Sequence, residues 1–175
     1  MKIIQTHNPD YQSEISALYI EAFSGAPSNQ YIDPVKLDAY IKMILEKGYA
    51  LLAILNGQVV GAVLSFPLKF DNLLPDEIKQ NFDTDKCIYV AELMVGAPTR
   101  GQGIGNKLMM EFFKTVDKSH YTDAFIRVWE ENIPALNLYR KMNFVPVTSV
   151  EQTKKKADGS GTFVMKKIYL HKKLD

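Results

Sequence analysis

Ile88-Tyr89-Val90-Ala91-Glu92-Leu93-Met94-Val95 is a short, almost unbroken apolar run with β-branched residues, the pattern of a buried strand. Arg100-Gly101-Gln102-Gly103-Ile104-Gly105 follows, and then Leu108, Met109, Phe112, Phe113 and Val116 at helical spacing. The stretch predicts a strand, a glycine loop and an amphipathic helix in succession. Glycine lacks the Cβ that would hold a ligand away from the main chain. The first turn of a helix adds N–H groups without intrahelical partners and the positive end of the helix dipole. The combination suits a pyrophosphate. A tight strand-to-helix connection with no ligand uses the same glycines, and that reading stays open.

Two other phosphate-binding patterns fail on these residues. A P-loop requires Gly-Lys-Ser/Thr, whereas Gly105 is followed by Asn106, Lys107 and Leu108. A dinucleotide fingerprint starting at Gly101 requires glycine or alanine where Ile104 or Asn106 stands, depending on register.

A second motif lies downstream. Asn132-Ile133-Pro134-Ala135-Leu136-Asn137-Leu138-Tyr139 runs into Arg140-Lys141-Met142-Asn143-Phe144. Asn132 is a natural helix N-cap, and Pro134 is tolerated in a first turn. Ala135, Leu138 and Met142 form an apolar face, with Tyr139 one turn beyond Ala135. Between the motifs, Ala124–Trp129 reads as a strand.

At these residues the chain resembles the GNAT superfamily of acyl-CoA N-acyltransferases. Glu92-Leu93-Met94-Val95, Arg100-Gly101-Gln102-Gly103-Ile104-Gly105, and Asn132-x-x-Ala135-x-x-x-Tyr139 with Phe144 stand in the family's order and approximate spacing. The resemblance is specific over about residues 86–146 and rests elsewhere on element order. It implies an α/β fold with a mixed sheet, β-α-α-β-β-β-α-β-α-β-β, flanked by helices, with parallel, splayed fourth and fifth strands. Acyl-CoA would enter the gap, its pantetheine amides pairing with strand backbone. The implied activity is transfer of an acetyl group from acetyl-CoA, as co-substrate, to a primary amine by direct attack in a ternary complex.

The resemblance also implies roles for individual residues. Leu93, Met94, Val95, Arg100, Gly101, Gln102, Gly103, Ile104, Gly105, Asn106, Asn132 and Tyr139 would bind acetyl-CoA. Backbone N–H groups near Val95 would polarise the thioester carbonyl, and Asn132 would hold the pantetheine arm while capping its helix. Tyr139 would stand beside the sulfur, where a phenol of reference pKa ~10 can protonate the leaving thiolate. A half-buried aromatic with its hydroxyl satisfied elsewhere is the competing reading of Tyr139.

Amide formation also requires that the ammonium lose a proton. Strand alternation puts Glu92 and Met94 on one face, Leu93 and Val95 on the other. If Leu93 and Val95 pack on the core, Glu92 faces the substrate side and can take the amine proton directly or through water. Alternatively Glu92 only orients substrate or pairs with a neighbour. A catalytically silent acyl-CoA-binding module would keep the glycine loop without needing Glu92 or Tyr139.

Composition narrows the partners. The chain has 175 residues, 46% hydrophobic and 23% charged, with a net charge of +1. That fits one globular domain over 1–175 and provides no strong field for nucleic acid or anionic membrane. Lys154-Lys155-Lys156, beside Asp158-Gly159, is the one concentrated basic cluster and reads as a solvated hairpin end. Cys87 is the only cysteine, which excludes an internal disulfide and fits a reducing cytoplasm. Its apolar neighbours suggest a buried, inert thiol. His7, His120 and His171 are scattered, so no metal site is expected. The N-terminus is too polar for a signal peptide, and no run reaches membrane-spanning length. The expected protein is cytoplasmic, a monomer or homodimer acting on a small-molecule or peptide amine.

The remaining elements follow from local signals. Lys2–His7 reads as a strand, and Asp10 as the cap of a helix through Phe23 with Ile15, Leu18, Tyr19 and Ala22 on one face. A second helix begins near Asp33-Pro34, carries Leu37, Tyr40, Ile41 and Ile44, and ends at Gly48. Tyr49–Leu55 and Gln58–Pro67 form a hairpin around Asn56-Gly57, which fits a type I′ turn. A short helix is expected at Asp76–Asn81. Val145–Lys154 and Thr162–Leu170 read as a closing hairpin around Asp158-Gly159-Ser160-Gly161. The resemblance assigns the acceptor site to the first two helices, their loop and this hairpin. Phe23, Tyr31, Tyr40, Phe66, Phe70, Glu21 and Asp33 are its candidates, and the acceptor itself stays open.

Overall fold

Asp33 starts the second helix by accepting hydrogen bonds from the N–H groups of Val35 and Lys36, with Pro34 in the first turn and Gly48 at the end. Local signals of this kind account for most of the elements. The computed structural model describes residues 1–175. In chain order they are β1 (Lys2–Thr6), α1 (Gln12–Ser24), α2 (Pro34–Lys47), β2 (Tyr49–Leu55), β3 (Gln58–Pro67), α3 (Asp76–Asn81), β4 (Cys87–Val95), α4 (Ile104–Thr115), β5 (Asp123–Trp129), α5 (Ile133–Lys141), β6 (Val145–Lys155) and β7 (Thr162–Lys173). The strands form a seven-stranded mixed sheet in the order β1-β2-β3-β4-β5-β7-β6. This is the expected α/β fold, with α3 as the short extra helix.

The residues gather into two compact units. One comprises Met1–Ser65, Glu92–Thr115 and Lys154–Thr162; the other comprises Phe66–Ala91, Val116–Thr153 and Phe163–Asp175.

In the first unit β1, β2 and β3 are antiparallel, and α2 and α4 both pack on β2. The hairpin turns at Asn56 and Gly57, whose φ values of 51° and 79° are what a type I′ turn needs. Ile15, Leu37, Ile41, Ile44, Leu51, Leu108 and Phe112 are buried here. Gly61, in mid-strand, permits a close approach. A Cβ there would lie 3.1 Å from each of Ile104 Cγ2, Leu108 Cδ1 and the Met94 carbonyl oxygen. One boundary differs from expectation. Asp10 does not cap α1: Asn8 caps a 3-10 turn over Pro9–Tyr11, its Oδ1 accepting from the Asp10 N–H, and α1 begins at Gln12 with Tyr11 at its cap position and no side-chain capping bond. Pro9 explains the shift, because it fits a first turn directly after a cap.

In the second unit the parallel ladder between β4 and β5 holds four pairs, Cys87↔Asp123 through Val90↔Ile126. The antiparallel ladder of β5 with β7 runs the whole of β5, from Asp123↔Lys173 to Trp129↔Lys167. Phe66, Ile78, Tyr89, Phe125 and Tyr169 are buried in this unit. No helix is long and apolar enough to cross a membrane.

Candidate functional site

The first unit carries Glu92, Leu93, Met94 and Val95 at the end of β4, together with the loop that follows. Gly96 donates its N–H to the Val60 carbonyl at 2.9 Å, fixing the strand end. A 3-10 turn then covers Ala97–Thr99, and its first N–H, that of Ala97, donates to Glu21 Oε1 at 2.6 Å. Glu21 is therefore committed to holding this turn, and Asp33 to capping α2.

Past the turn, Gly101 and Gly103 have φ of 77° and 76°, and a Cβ at either would project into open space. Side-chain-bearing residues avoid that backbone conformation, so these two glycines are required by geometry. Gly105 and Asn106 lie inside the first turn of α4 rather than in the loop. Their N–H groups are among the four that a helix start leaves without intrahelical partners. The first helical bond runs from Lys107 N–H to the Gly103 carbonyl. Left-handed glycines feeding an open helix start fit a pyrophosphate, whose oxygens accept from such donors. Arg100 does more than bring charge: its Nε donates to the Val95 carbonyl at 3.1 Å, binding loop to strand.

Glu92 differs from expectation in its surroundings. Met94 is the buried residue of the strand end, whereas Leu93 and Val95 are only half-buried. Core packing therefore lies on the face shared by Glu92 and Met94, and the premise that Leu93 and Val95 face the core is corrected. Glu92 is half-buried and meets α2, where the Tyr40 hydroxyl donates to Oε1 at 3.0 Å. Tyr40 stands edge-on to Tyr19 at 6.2 Å, and Tyr19 lies 4.6 Å from Phe23. One carboxylate thus terminates a file of three aromatic rings. Tyr40 was a candidate by type, but its link to Glu92 joins residues far apart in sequence.

Asn132 and Tyr139 belong to the second unit. Asn132 caps α5 as expected, its Oδ1 accepting from Ala135 N–H at 3.3 Å. Tyr139 is the buried residue of α5, and Ala135, Leu138 and Met142 are half-buried. The Tyr139 ring lies edge-on to Phe144 at 6.0 Å, and its carbonyl accepts from the N–H of Phe144.

The sequence reading missed a polar cluster in the second unit. Arg127 Nη1 donates to Asp71 Oδ1 and Oδ2 at 3.1 and 3.2 Å and to the Tyr169 hydroxyl at 2.7 Å. Tyr169 donates to Asp71 Oδ2 at 2.7 Å. Burial is the main reason that the Tyr169 phenol is held above its ordinary range, so it stays a donor. The available signal was Arg127 itself, a cation inside the apolar run Ala124–Trp129.

A strand carrying a carboxylate near its end, a left-handed glycine loop and an open helix start, on a mixed sheet whose β4 and β5 are parallel, fit an acyl-CoA-dependent transferase. A sequence model of the acetyltransferase (GNAT) family matches residues 11–144. The chain belongs to that family, and it is an acetyltransferase. An N-alpha-acetyltransferase of Sulfolobus acidocaldarius is 28% identical over 131 residues, 72% of this chain and 73% of that protein. Among solved structures, ribosomal-protein-alanine N-acetyltransferase from Brucella melitensis has a TM-score of 0.73 at 17% identity, covering 99% of this chain and 100% of that one. The acetyltransferase yncA from Salmonella typhimurium, solved with its cofactor acetyl-CoA, has a TM-score of 0.69 at 15% identity, covering 100% of this chain and 95% of that one.

Proposed function

We propose that residues 1–175 act as one acetyltransferase domain that transfers the acetyl group of acetyl-CoA to the α-amine of a polypeptide. The polypeptide acceptor is supported by the names of the Sulfolobus and Brucella proteins. The observation that carries the chemistry is Glu92, the only acid of β4, half-buried and held by Tyr40 on the strand that leads into the glycine loop.

The roles follow from the reaction's requirements. Gly101, Gln102, Gly103, Ile104, Gly105 and Asn106 offer backbone donors to the pyrophosphate, and Arg100 adds positive charge. Main-chain groups of Leu93, Met94 and Val95 pair with the pantetheine arm and polarise the thioester carbonyl. Asn132 holds the same arm. Glu92 takes a proton from the ammonium, leaving the nitrogen lone pair to attack the carbonyl carbon. The new C–N bond forms, the C–S bond breaks, and Tyr139 gives its phenolic proton to the departing sulfur. Both substrates are bound at once, and no acetyl group rests on the protein.

Gly103→Asp tests this reading together with an amine panel. The substitution places a side chain and a negative charge where the phosphates would lie. The folded variant should lose most of the thermal stabilisation that acetyl-CoA gives the native chain. Native protein should release CoA thiol only when an amine is present. Unchanged acetyl-CoA binding in folded Gly103→Asp would overturn the loop assignment. Binding without thiol release from any amine would favour the silent acyl-CoA-binding module.

A further inference from the structure

In the first unit, the segment before α2 is tied by main chain to the tip of the closing hairpin. Tyr31 N–H donates to the Lys155 carbonyl at 2.9 Å, Ala157 N–H donates to the Asn29 carbonyl at 2.8 Å, and Gln30 bridges Lys156. These ties frame an open cleft of about 600 Å³ whose lining includes Tyr31, Lys155, Lys156, Asp158, Gly159 and Thr162. Tyr31 is 52% exposed. Lys155 and Lys156 are exposed and take part in none of the ion pairs. The one acid of the lining, Asp158, lies near enough to Lys156 to feel its charge, and its Oδ1 accepts from Ser160 N–H at 2.9 Å.

We propose that this cleft docks an acidic stretch of the polypeptide acceptor, with Lys155 and Lys156 facing its carboxylates and Tyr31 covering an aliphatic stem. The proposal rests on the polypeptide reading above and adds its charge preference. Two cations beside a ring suit short acidic side chains, which combine charge with an apolar stem. A nucleic-acid strand is disfavoured, because tracking phosphates takes a longer row of cations than this cleft supplies and the net charge is only +1.

The same unit sets the distance from Glu92. Along α2, Pro34 to Tyr40 covers about 9 Å at a rise of ~1.5 Å per residue. The extended steps from Tyr31 to Pro34 add at most roughly 10 Å. The cleft therefore lies within about 30 Å of the Glu92 carboxylate once the Tyr40 side chain and its hydrogen bond are included, a span that about nine extended residues cover at ~3.4 Å each. The acidic residues should fall within roughly the first ten positions of the acceptor.

The test separates this proposal from the one it rests on. Fluorescent ten-residue peptides with free N-termini carry Glu at positions 4–7, or Gln or Lys there, and binding is followed by anisotropy in the presence of CoA. Acidic peptide should bind about tenfold more tightly than its Gln counterpart at low salt, and the advantage should fall at high salt. It should vanish in Lys155→Gln/Lys156→Gln, invert toward the Lys peptide in Lys155→Glu/Lys156→Glu, and weaken in Tyr31→Ala. Equal binding of acidic and Gln peptides would overturn the cleft proposal, whatever the turnover. So would tighter binding of an oligonucleotide of equal charge that depends on the same lysines. Mass spectrometry of the same peptides after acetyl-CoA addition judges the polypeptide reading by itself.

Discussion

The Tyr40 hydroxyl donates to Glu92 Oε1 across 3.0 Å, joining α2 to the end of β4. A hydrogen bond to a carboxylate favours its charged form, the form that the proposed base needs. Tyr40→Phe removes the donor and keeps the ring. The acid limb of kcat/KM should move to higher pH, with the plateau less affected. Glu92→Gln should flatten that limb, with partial recovery at high pH, where the amine arrives uncharged. A higher KM with an unaltered pH profile in both variants would make Glu92 an orienting group.

Tyr139→Phe addresses the other proton. The buried ring keeps its packing against Phe144 and loses only the hydroxyl. Turnover should fall roughly 10²–10⁴-fold, the usual cost of losing a general acid, while acetyl-CoA affinity changes little. Stopped-flow or steady-state thiol release measures it, and near-native turnover would return Tyr139 to a packing role.

Arg127 and Asp71 form the most buried ion pair, with side chains only 14% and 5% exposed. Removing one partner leaves an uncompensated charge in the second unit. Arg127→Met should cost about 3–5 kcal/mol in denaturant unfolding. The double variant Arg127→Met/Asp71→Leu should recover much of that loss, since no lone charge remains. Equal destabilisation in both would mean that shape, not charge, sets the cost.

Burial pushes the Cys87 thiol up to about 12, and its Sγ contacts the Asp83 carbonyl at 3.2 Å. The thiolate is the reactive form. Native protein at pH 8 should therefore leave a disulfide reagent unreacted over the minutes of a thiol-release assay, and denatured protein should react with one equivalent. Rapid native labelling would show that Cys87 is reached by solvent.

The elements legible beforehand are those specified within a few residues. Asp33 starts α2 and Asn132 caps α5 through contacts two or three residues away, and Asn56-Gly57 turns a hairpin through their own positive φ. The glycine loop was legible because its need for positive φ leaves a mark in residue type. Pairings made by topology left no such mark. Alternation along β4 divides Glu92 and Met94 from Leu93 and Val95, but which pair faces the core depends on the helix that packs there. Asp71, Arg127 and Tyr169 come from three separate segments, and only the odd arginine in an apolar strand pointed to them. Gly61 was hidden for the same reason, since its neighbours Ile104 and Leu108 come from a distant helix.

The central claim is direct transfer of acetyl to a polypeptide α-amine, and locating the acetyl group tests it most directly. Native protein, acetyl-CoA and a free-N-terminus peptide containing an internal lysine are combined, and peptide and protein are both sequenced by tandem mass spectrometry. The account predicts one acetyl group on the peptide's N-terminal nitrogen, one CoA thiol released per acetyl transferred, and no acetylated enzyme before peptide is added. Acetyl on the lysine alone, or on the enzyme ahead of the peptide, would contradict it.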